Sequence, residues 1–165
     1  MKFIKDEIEY IKQDRIFTKQ INNIKYWIKP LIDHETYPLG NLKSHKKYFN
    51  CLKKYLNEHI PETKFFNFKS NINLIIQKDV LGKRINTLKE IKQLLGLEQN
   101  KQFKEGIKKM LDKKEWVIDF YIYKENFIVT KDKKLYFIDG RIPIFSEPSE
   151  DRFQIAKKRT LFLLS

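Results

Sequence analysis

Residues 125–140 read ENFIVTKDKKLYFIDG and contain two short apolar runs separated by a polar stretch. The runs are residues 127–130 and 135–138, and the four residues between them are all charged. Short apolar runs joined by a polar turn are typical of a β-hairpin. Asn126 and Asp139 stand just outside the two runs, thirteen positions apart. We therefore expect the hairpin to bring these two side chains close together.

Upstream of this segment, apolar and polar residues alternate in three places, which predicts three antiparallel strands. The alternating stretches are residues 7–10, 15–18 and 24–28. The pairs Gln13-Asp14 and Asn22-Asn23 lie between them and have the length and residue types of tight turns. The first third of the chain is thus predicted to form a small antiparallel sheet.

The remaining elements follow from the period of the apolar residues. Tyr48, Phe49 and Leu52 recur at intervals of three and four, which predicts an amphipathic helix over residues 44–58. Two further strands are predicted, and the second is apolar enough to be buried on both faces. These strands are residues 63–68 and 72–80. Other predicted elements are an apolar run at residues 117–121 and helices at residues 87–95, 99–114 and 150–164.

The order of these elements resembles that of the protein-kinase-like superfamily, and the segment from Asn126 to Asp139 carries the local similarity. In that family an asparagine ends the catalytic loop, a short hairpin follows, and an aspartate before a glycine holds the metal. The resemblance implies an α+β, two-lobed kinase-like fold in one domain, residues 1–165. It implies a five-stranded antiparallel N-lobe sheet with one helix, a hinge, and a truncated helical C-lobe with a small β-hairpin. The expected boundaries are residues 1–80, 77–83 and 84–165.

Asn126 and Asp139 also have a chemical argument of their own. An amide oxygen and a carboxylate are hard ligands suited to a magnesium ion that keeps several waters, and such an ion bridges phosphates. Asparagine and aspartate are common turn residues as well, so a purely structural role is the alternative.

The resemblance implies particular roles for five side chains. Lys29 is expected to be catalytic and to contact the phosphates of ATP, and Gln77 is expected to bind the nucleotide at the hinge. Asp119 is the candidate catalytic base, and Asn126 and Asp139 are the candidate magnesium ligands. Magnesium and ATP are the cofactors that this assignment implies. The alternative for Lys29 is an ordinary surface lysine.

The sequence departs from the family pattern at several points. The family base is expected five residues before Asn126, where Tyr121 stands, and Asp119 lies two residues earlier. Trp27 occupies a position that is small in the family, where it would crowd the adenine. The family covers the phosphates with a glycine-rich loop, whereas residues 1–39 contain no glycine.

These departures favour a degenerate kinase-like domain, a pseudokinase or regulatory binding module with at most weak nucleotide and magnesium binding and with a protein partner. One alternative is an active ATP-dependent phosphotransferase on a small hydroxylated substrate, with Asp119 as base and Lys29 on the phosphates. A second alternative is a basic nucleic-acid-associated protein that uses clusters such as residues 83–84 and 157–159.

Composition limits these alternatives. The 165 residues carry 34 Lys+Arg and 21 Asp+Glu, a net charge of +13, but the excess is spread evenly along the chain, which weighs against a nucleic-acid partner. Cys51 is the one cysteine, so no disulfide can form within the chain. The charged residues 1–10 do not form a secretion signal, and no uncharged stretch is long enough for a membrane span. We expect a cytoplasmic protein, and its oligomeric state stays open.

Overall fold

The computed structural model of the chain describes residues 2–32, 42–69, 72–85, 87–113, 118, 120, 124–138 and 150–165. Within these residues the fold is mixed α+β, with five α-helices and two antiparallel sheets. The helices are α1 Lys5–Lys12, α2 Leu42–Leu56, α3 Leu88–Leu95, α4 Lys101–Asp112 and α5 Glu150–Leu164. The strands are β1 Phe17–Ile21, β2 Ile24–Ile32, β3 Thr63–Lys69, β4 Ile72–Lys78, β5 Lys83–Arg84, β6 Phe127–Val129 and β7 Leu135–Phe137.

Four strands form the first sheet in the order β1-β2-β4-β3, each antiparallel to its neighbour. The predicted Asn22-Asn23 turn joins β1 to β2, and the φ angles of these residues are 50° and 62°. Asparagine tolerates left-handed backbone, and a two-residue turn with two positive φ angles matches the twist of the strands it joins. β4 lies inside the sheet with residues 72–77 buried, as its apolar sequence predicts.

The predicted strand at residues 7–10 is wrong, because these residues belong to α1. The carboxylate of Glu7 accepts a hydrogen bond of 2.9 Å from the backbone N–H of Ile4 and so caps the start of this helix. Ile11, near the helix end, is fully buried against the sheet. An alternation of only four residues fits one turn of an amphipathic helix as well as a strand. Within residues 2–78 as described, the first sheet therefore has four strands instead of five, and residues 13–14 follow a helix.

Helices cover both faces of the first sheet. On one face, Ile28, Leu74 and Ile76 pack with Ile11 of α1. On the other face, Ile75 belongs to a larger cluster that includes side chains of α2. That cluster continues through α3, α4, the second sheet and α5. A single hydrophobic core therefore connects the N-terminal and C-terminal halves of the chain.

The packing of α2 on α4 is a close contact between the two halves. α2 begins two residues before the predicted range of 44–58 and ends at Leu56. A Cβ atom on Gly106 of α4 would lie 2.2 Å from the carbonyl oxygen of Tyr55 and 2.8 Å from Cδ2 of Leu56. Only glycine fits at this position, because the helix backbones approach so closely.

The second sheet has the order β5-β6-β7 and contains the predicted hairpin. Its turn places Lys133 at a φ of 66°, a conformation that costs energy for a residue other than glycine. Asn100, which is fully buried, donates to the carbonyl oxygens of Leu94 and Lys133 and accepts from the N–H of Leu135. One side chain thus fixes the hairpin to the end of α3.

Four residues, 79–82, link the two sheets. Of the residues 77–83 predicted as a hinge, Gln77 and Lys78 belong to β4 and Lys83 begins β5. A Cβ atom on Gly82 would lie 2.5 Å from the carbonyl oxygen of Val129. The link can therefore lie against β6 only because this residue is glycine.

The helices predicted at residues 87–95, 99–114 and 150–164 are present as α3, α4 and α5. Of the apolar run at residues 117–121, Ile118 and Phe120 are buried, and the other three residues lie outside the described part of the chain. None of the helices that the structure describes has the length and apolar character that a membrane span requires.

Candidate functional site

A pocket of about 370 Å³ lies where the two sheets meet. Its walls come from β2 and β4 of the first sheet, from the link at residues 79–82, and from β5 and the hairpin of the second sheet. Three predicted site residues, Lys29, Gln77 and Asn126, line it together. We call this space the seam pocket.

Lys29 is held in place by contacts from both sheets. It lies on β2 and is only 9% exposed. The next residue, Pro30, has no backbone N–H. Its Nζ atom donates to Oε1 of Gln77 at 2.8 Å and to the carbonyl oxygen of Ile138 at 2.6 Å. The interpretation of Lys29 as a surface lysine is therefore wrong. A buried ammonium group keeps its charge only where oxygen atoms replace its water shell.

Gln77 lies within β4 and not in a hinge, and it is 1% exposed. Its Nε2 donates to Oγ1 of Thr63 at 3.2 Å, and that hydroxyl donates to the carbonyl oxygen of Pro61 at 2.8 Å. These bonds orient the amide so that Oε1 points to Lys29. Gln77 thus acts as a positioning residue for the ammonium group.

Asn126 reaches the seam pocket from the other sheet. It ends the 3₁₀ turn Lys124–Asn126, immediately before β6, and its carbonyl oxygen accepts a hydrogen bond of 2.8 Å from the N–H of Ile138. This bond extends the pairing of β6 with β7 by one residue on each side. The same residue, Ile138, contacts Lys29 through its carbonyl oxygen.

The two predicted carboxylates, Asp119 and Asp139, lie outside the described residues. Asp139 directly follows Ile138 in the sequence. Among the residues that are described, no group of three or more His, Cys, Asp or Glu side chains is arranged to hold a metal ion. An amide oxygen such as that of Asn126 is suited to magnesium, which often takes only one or two protein ligands.

Trp27 forms part of the pocket wall. Its Nε1 donates to Oδ1 of Asp79 at 2.6 Å. Nζ of Lys25 lies 3.5 Å from Oδ2 of the same carboxylate and 5.3 Å from the centroid of the indole ring. The indole is therefore fixed at the start of the link between the sheets, and the seam pocket is the space that remains beside it.

Arg84 and the carbonyl oxygen of Ile138 are two of the pocket's contributors that sequence reasoning does not predict as site residues. Arg84 was noted only as part of a basic cluster, yet it lines the seam pocket together with Lys78. Among the described residues that line the pocket, the charged side chains are Lys29, Lys78, Arg84 and Asp79. This excess of positive charge favours an anionic ligand. The second contributor, the carbonyl oxygen of Ile138, is a backbone atom, so its role cannot be predicted from the residue type.

Behind the hairpin, His59 supports β7 from the core. This residue is 2% exposed, and its Nδ1 lies 2.7 Å from the carbonyl oxygen of Leu135. Because a carbonyl oxygen can only accept, the neutral ring carries its hydrogen on Nδ1. Burial lowers the pKa of His59 from its ordinary value, and the nearby ammonium group of Lys134 acts in the same direction.

Comparisons of the chain with protein-family models, with curated proteins and with solved structures found no match.

Proposed function

We propose that this protein is a degenerate kinase-like module, a pseudokinase or regulatory binding protein whose seam pocket binds a nucleotide weakly. The observation that carries the proposal is the meeting of Lys29, Gln77 and Asn126 in one pocket between two sheets. The two partners of the Lys29 ammonium group, Gln77 and Ile138, lie 48 and 109 positions away from it in the sequence, yet all three residues line this pocket. In the kinase-like family such a lysine contacts the phosphates and such an asparagine binds magnesium.

The charge of the pocket supports a phosphate-bearing ligand. Lys29 is buried and oriented, whereas Lys78 and Arg84 are exposed at the pocket and can reach outward. Phosphate groups are bound well by a fixed lysine together with the planar fork of an arginine. Asp79, the acidic residue among the described residues of the pocket wall, already accepts the hydrogen bond from Trp27.

The order of elements also supports the kinase-like assignment. The lysine strand β2 is followed by α2, by the β3–β4 hairpin and by a short link to a helical half that contains the second hairpin. These are the elements that the resemblance implies after the first two strands. We infer a two-lobed arrangement in which residues 79–82 are the hinge.

Three features indicate that binding is weak. α1 takes the place of the first predicted strand, so Asn22-Asn23 is the turn that joins two strands within the described residues 2–32, and no glycine is present there to cover phosphates. Trp27 narrows the pocket. A volume of about 370 Å³ is near the lower end for pockets that take small ligands.

Magnesium would be held by Asn126 together with Asp139, and it would neutralise charge on the bound phosphates. Asn126 lines the pocket, and its amide oxygen is a suitable ligand for magnesium. We assign Asp139 as a ligand because it directly follows Ile138 in the sequence.

The test is a thermal-shift titration with ATP and Mg²⁺ on the wild type and on the Lys29→Met variant. We expect ATP at about ten times its Kd to raise the Tm of the wild type by about 3 °C. Lys29→Met should abolish the shift. Lys64→Met is the matched control, because Lys64 lies on β3 of the same sheet with 72% of its side chain exposed, and it should retain the full shift. Equal shifts for the two variants would contradict the proposal.

A further inference from the structure

Within residues 154–165, α5 packs on the core through one face. Ala156, Thr160, Leu163 and Leu164 are each no more than 7% exposed. Oγ1 of Thr160 donates to the carbonyl oxygen of Ile118 at 3.0 Å. These contacts determine which side of the helix faces outward.

The outward side of α5 is also apolar. Ile155 is 51% exposed, Leu161 is 44% exposed and Phe162 is 63% exposed. Ile155 and Phe162 are seven positions apart, about two helical turns, and so lie on the same side of the helix. Large apolar side chains exposed together, and not singly, indicate a surface that contacts something else.

Cations surround these apolar side chains. Lys158 and Arg159 are exposed on the same outward side. From α3, Nζ of Lys92 lies 5.1 Å from the centroid of the Phe162 ring, within the range of a cation–π interaction. The two acidic residues of α5, Glu150 and Asp151, stand in its first turn, and residues 154–165 contain no aspartate or glutamate. The surface formed by Ile155, Lys158, Arg159, Leu161, Phe162 and Lys92 is called the α5 surface below.

We propose that the α5 surface docks on an anionic lipid bilayer. A bilayer interface accepts Phe, Leu and Ile side chains a few ångströms deep while lysine and arginine reach the charged headgroups. The charge pattern weighs against a second copy of the chain, because a twofold contact centred on the α5 surface would bring Lys158 and Arg159 close to the same cations of the other copy. A nucleic acid would use the cations but would leave Ile155 and Leu161 in water.

The experiment is cosedimentation of the full chain with vesicles. We expect binding to phosphatidylcholine vesicles that contain about one third phosphatidylglycerol, and little binding to pure phosphatidylcholine. Phe162→Gln should lower the partition coefficient about tenfold, because it removes a large apolar side chain from the interface. Ile155→Gln should reduce it in the same direction, and Lys158→Gln should weaken binding at low salt but not at high salt.

Ile4→Gln is the matched control, because Ile4 is 65% exposed at the start of α1 and should not affect binding. All substituted side chains are exposed, so unchanged melting curves will show that the variants fold. Three results would overturn the proposal. One is absence of binding to the anionic vesicles, and another is an equal loss of binding for Ile4→Gln and Phe162→Gln. The third is that the wild type, in the absence of lipid, binds RNA or forms a dimer, and that Phe162→Gln abolishes this binding or dimer.

Discussion

The two sheets that meet at the seam pocket are stabilised in different ways. The first sheet has strands of five to nine residues with helices on both faces, and it presents Lys29 and Gln77 as buried, hydrogen-bonded side chains. The second sheet has strands of two or three residues, which are tied to the core by Asn100 and His59. The pocket thus combines a rigid wall with a wall whose position depends on a few side chains. Its geometry should be most sensitive to changes that shift the second sheet.

The largest expected effect is at the contact that joins the two halves of the core. Gly106→Val places a Cβ atom where it would lie 2.2 Å from the carbonyl oxygen of Tyr55, so α2 and α4 must separate. We expect the free energy of unfolding to fall by about 3 kcal/mol, measured by urea denaturation. Gly96→Ala is the control, because its nearest new contact is 3.4 Å away and Gly96 has a φ of −81°. Similar losses for both variants would show that the close approach of the helices is not the cause.

Asn100→Ala should remove the bonds that fix the hairpin to α3. The substitution leaves the N–H of Leu135 and two carbonyl oxygens without their side-chain partner in a buried place, which we expect to cost about 2 kcal/mol. Asn50→Ala, at an exposed position of α2, should change stability by less than about 0.5 kcal/mol. If Asn100→Ala unfolds at the same urea concentration as the wild type, the second sheet has supports other than this side chain.

Magnesium dependence gives a third, smaller effect. Removing the proposed metal ligand in Asp139→Ala should weaken ATP binding about tenfold in the presence of Mg²⁺, and addition of EDTA to the wild type should have the same effect. The variant itself should not respond to EDTA. Titration calorimetry measures both quantities, and ATP binding that is unaffected by EDTA in the wild type would exclude the metal site.

The smallest effect is a pH dependence that originates at His59. Because burial lowers the pKa of His59 from 6.5, the unfolded chain binds more protons than the folded one below that pH. This contribution to stability is complete above pH 6.5 and decreases as the pH falls toward the lowered pKa of the folded state. On acidification, the free energy of unfolding of the wild type should therefore fall more than that of His59→Gln. Parallel stability curves from about pH 7 to pH 5 would refute a titrating role.

The sequence predicts the turns and hairpins that depend on a few neighbouring residues. The Asn22-Asn23 turn depends on the tolerance of asparagine for positive φ, and the hairpin at residues 127–137 depends on apolar runs flanking a charged turn. α1 was not predicted, because residues 7–10 fit both periods and the packing of Ile11 on the sheet decides between them.

The candidate site could be predicted only in part. Position in the kinase-like resemblance singles out Lys29, Gln77 and Asn126, and these residues do share a pocket. The contact between Lys29 and the carbonyl oxygen of Ile138 spans 109 positions and involves a backbone atom, so no residue pattern signals it. The place of Arg84 depends on the path of the link after β4, which only the packed structure determines.

Equilibrium dialysis of labelled ATP with Mg²⁺ measures directly whether the seam pocket binds a nucleotide through Lys29, as we propose. We expect saturable binding of one ATP per chain to the wild type, with a Kd of about 0.1 to 1 mM, and loss of that binding in Lys29→Met. Absence of saturable binding to the wild type at millimolar ATP, or equal binding by the wild type and Lys29→Met, would contradict it.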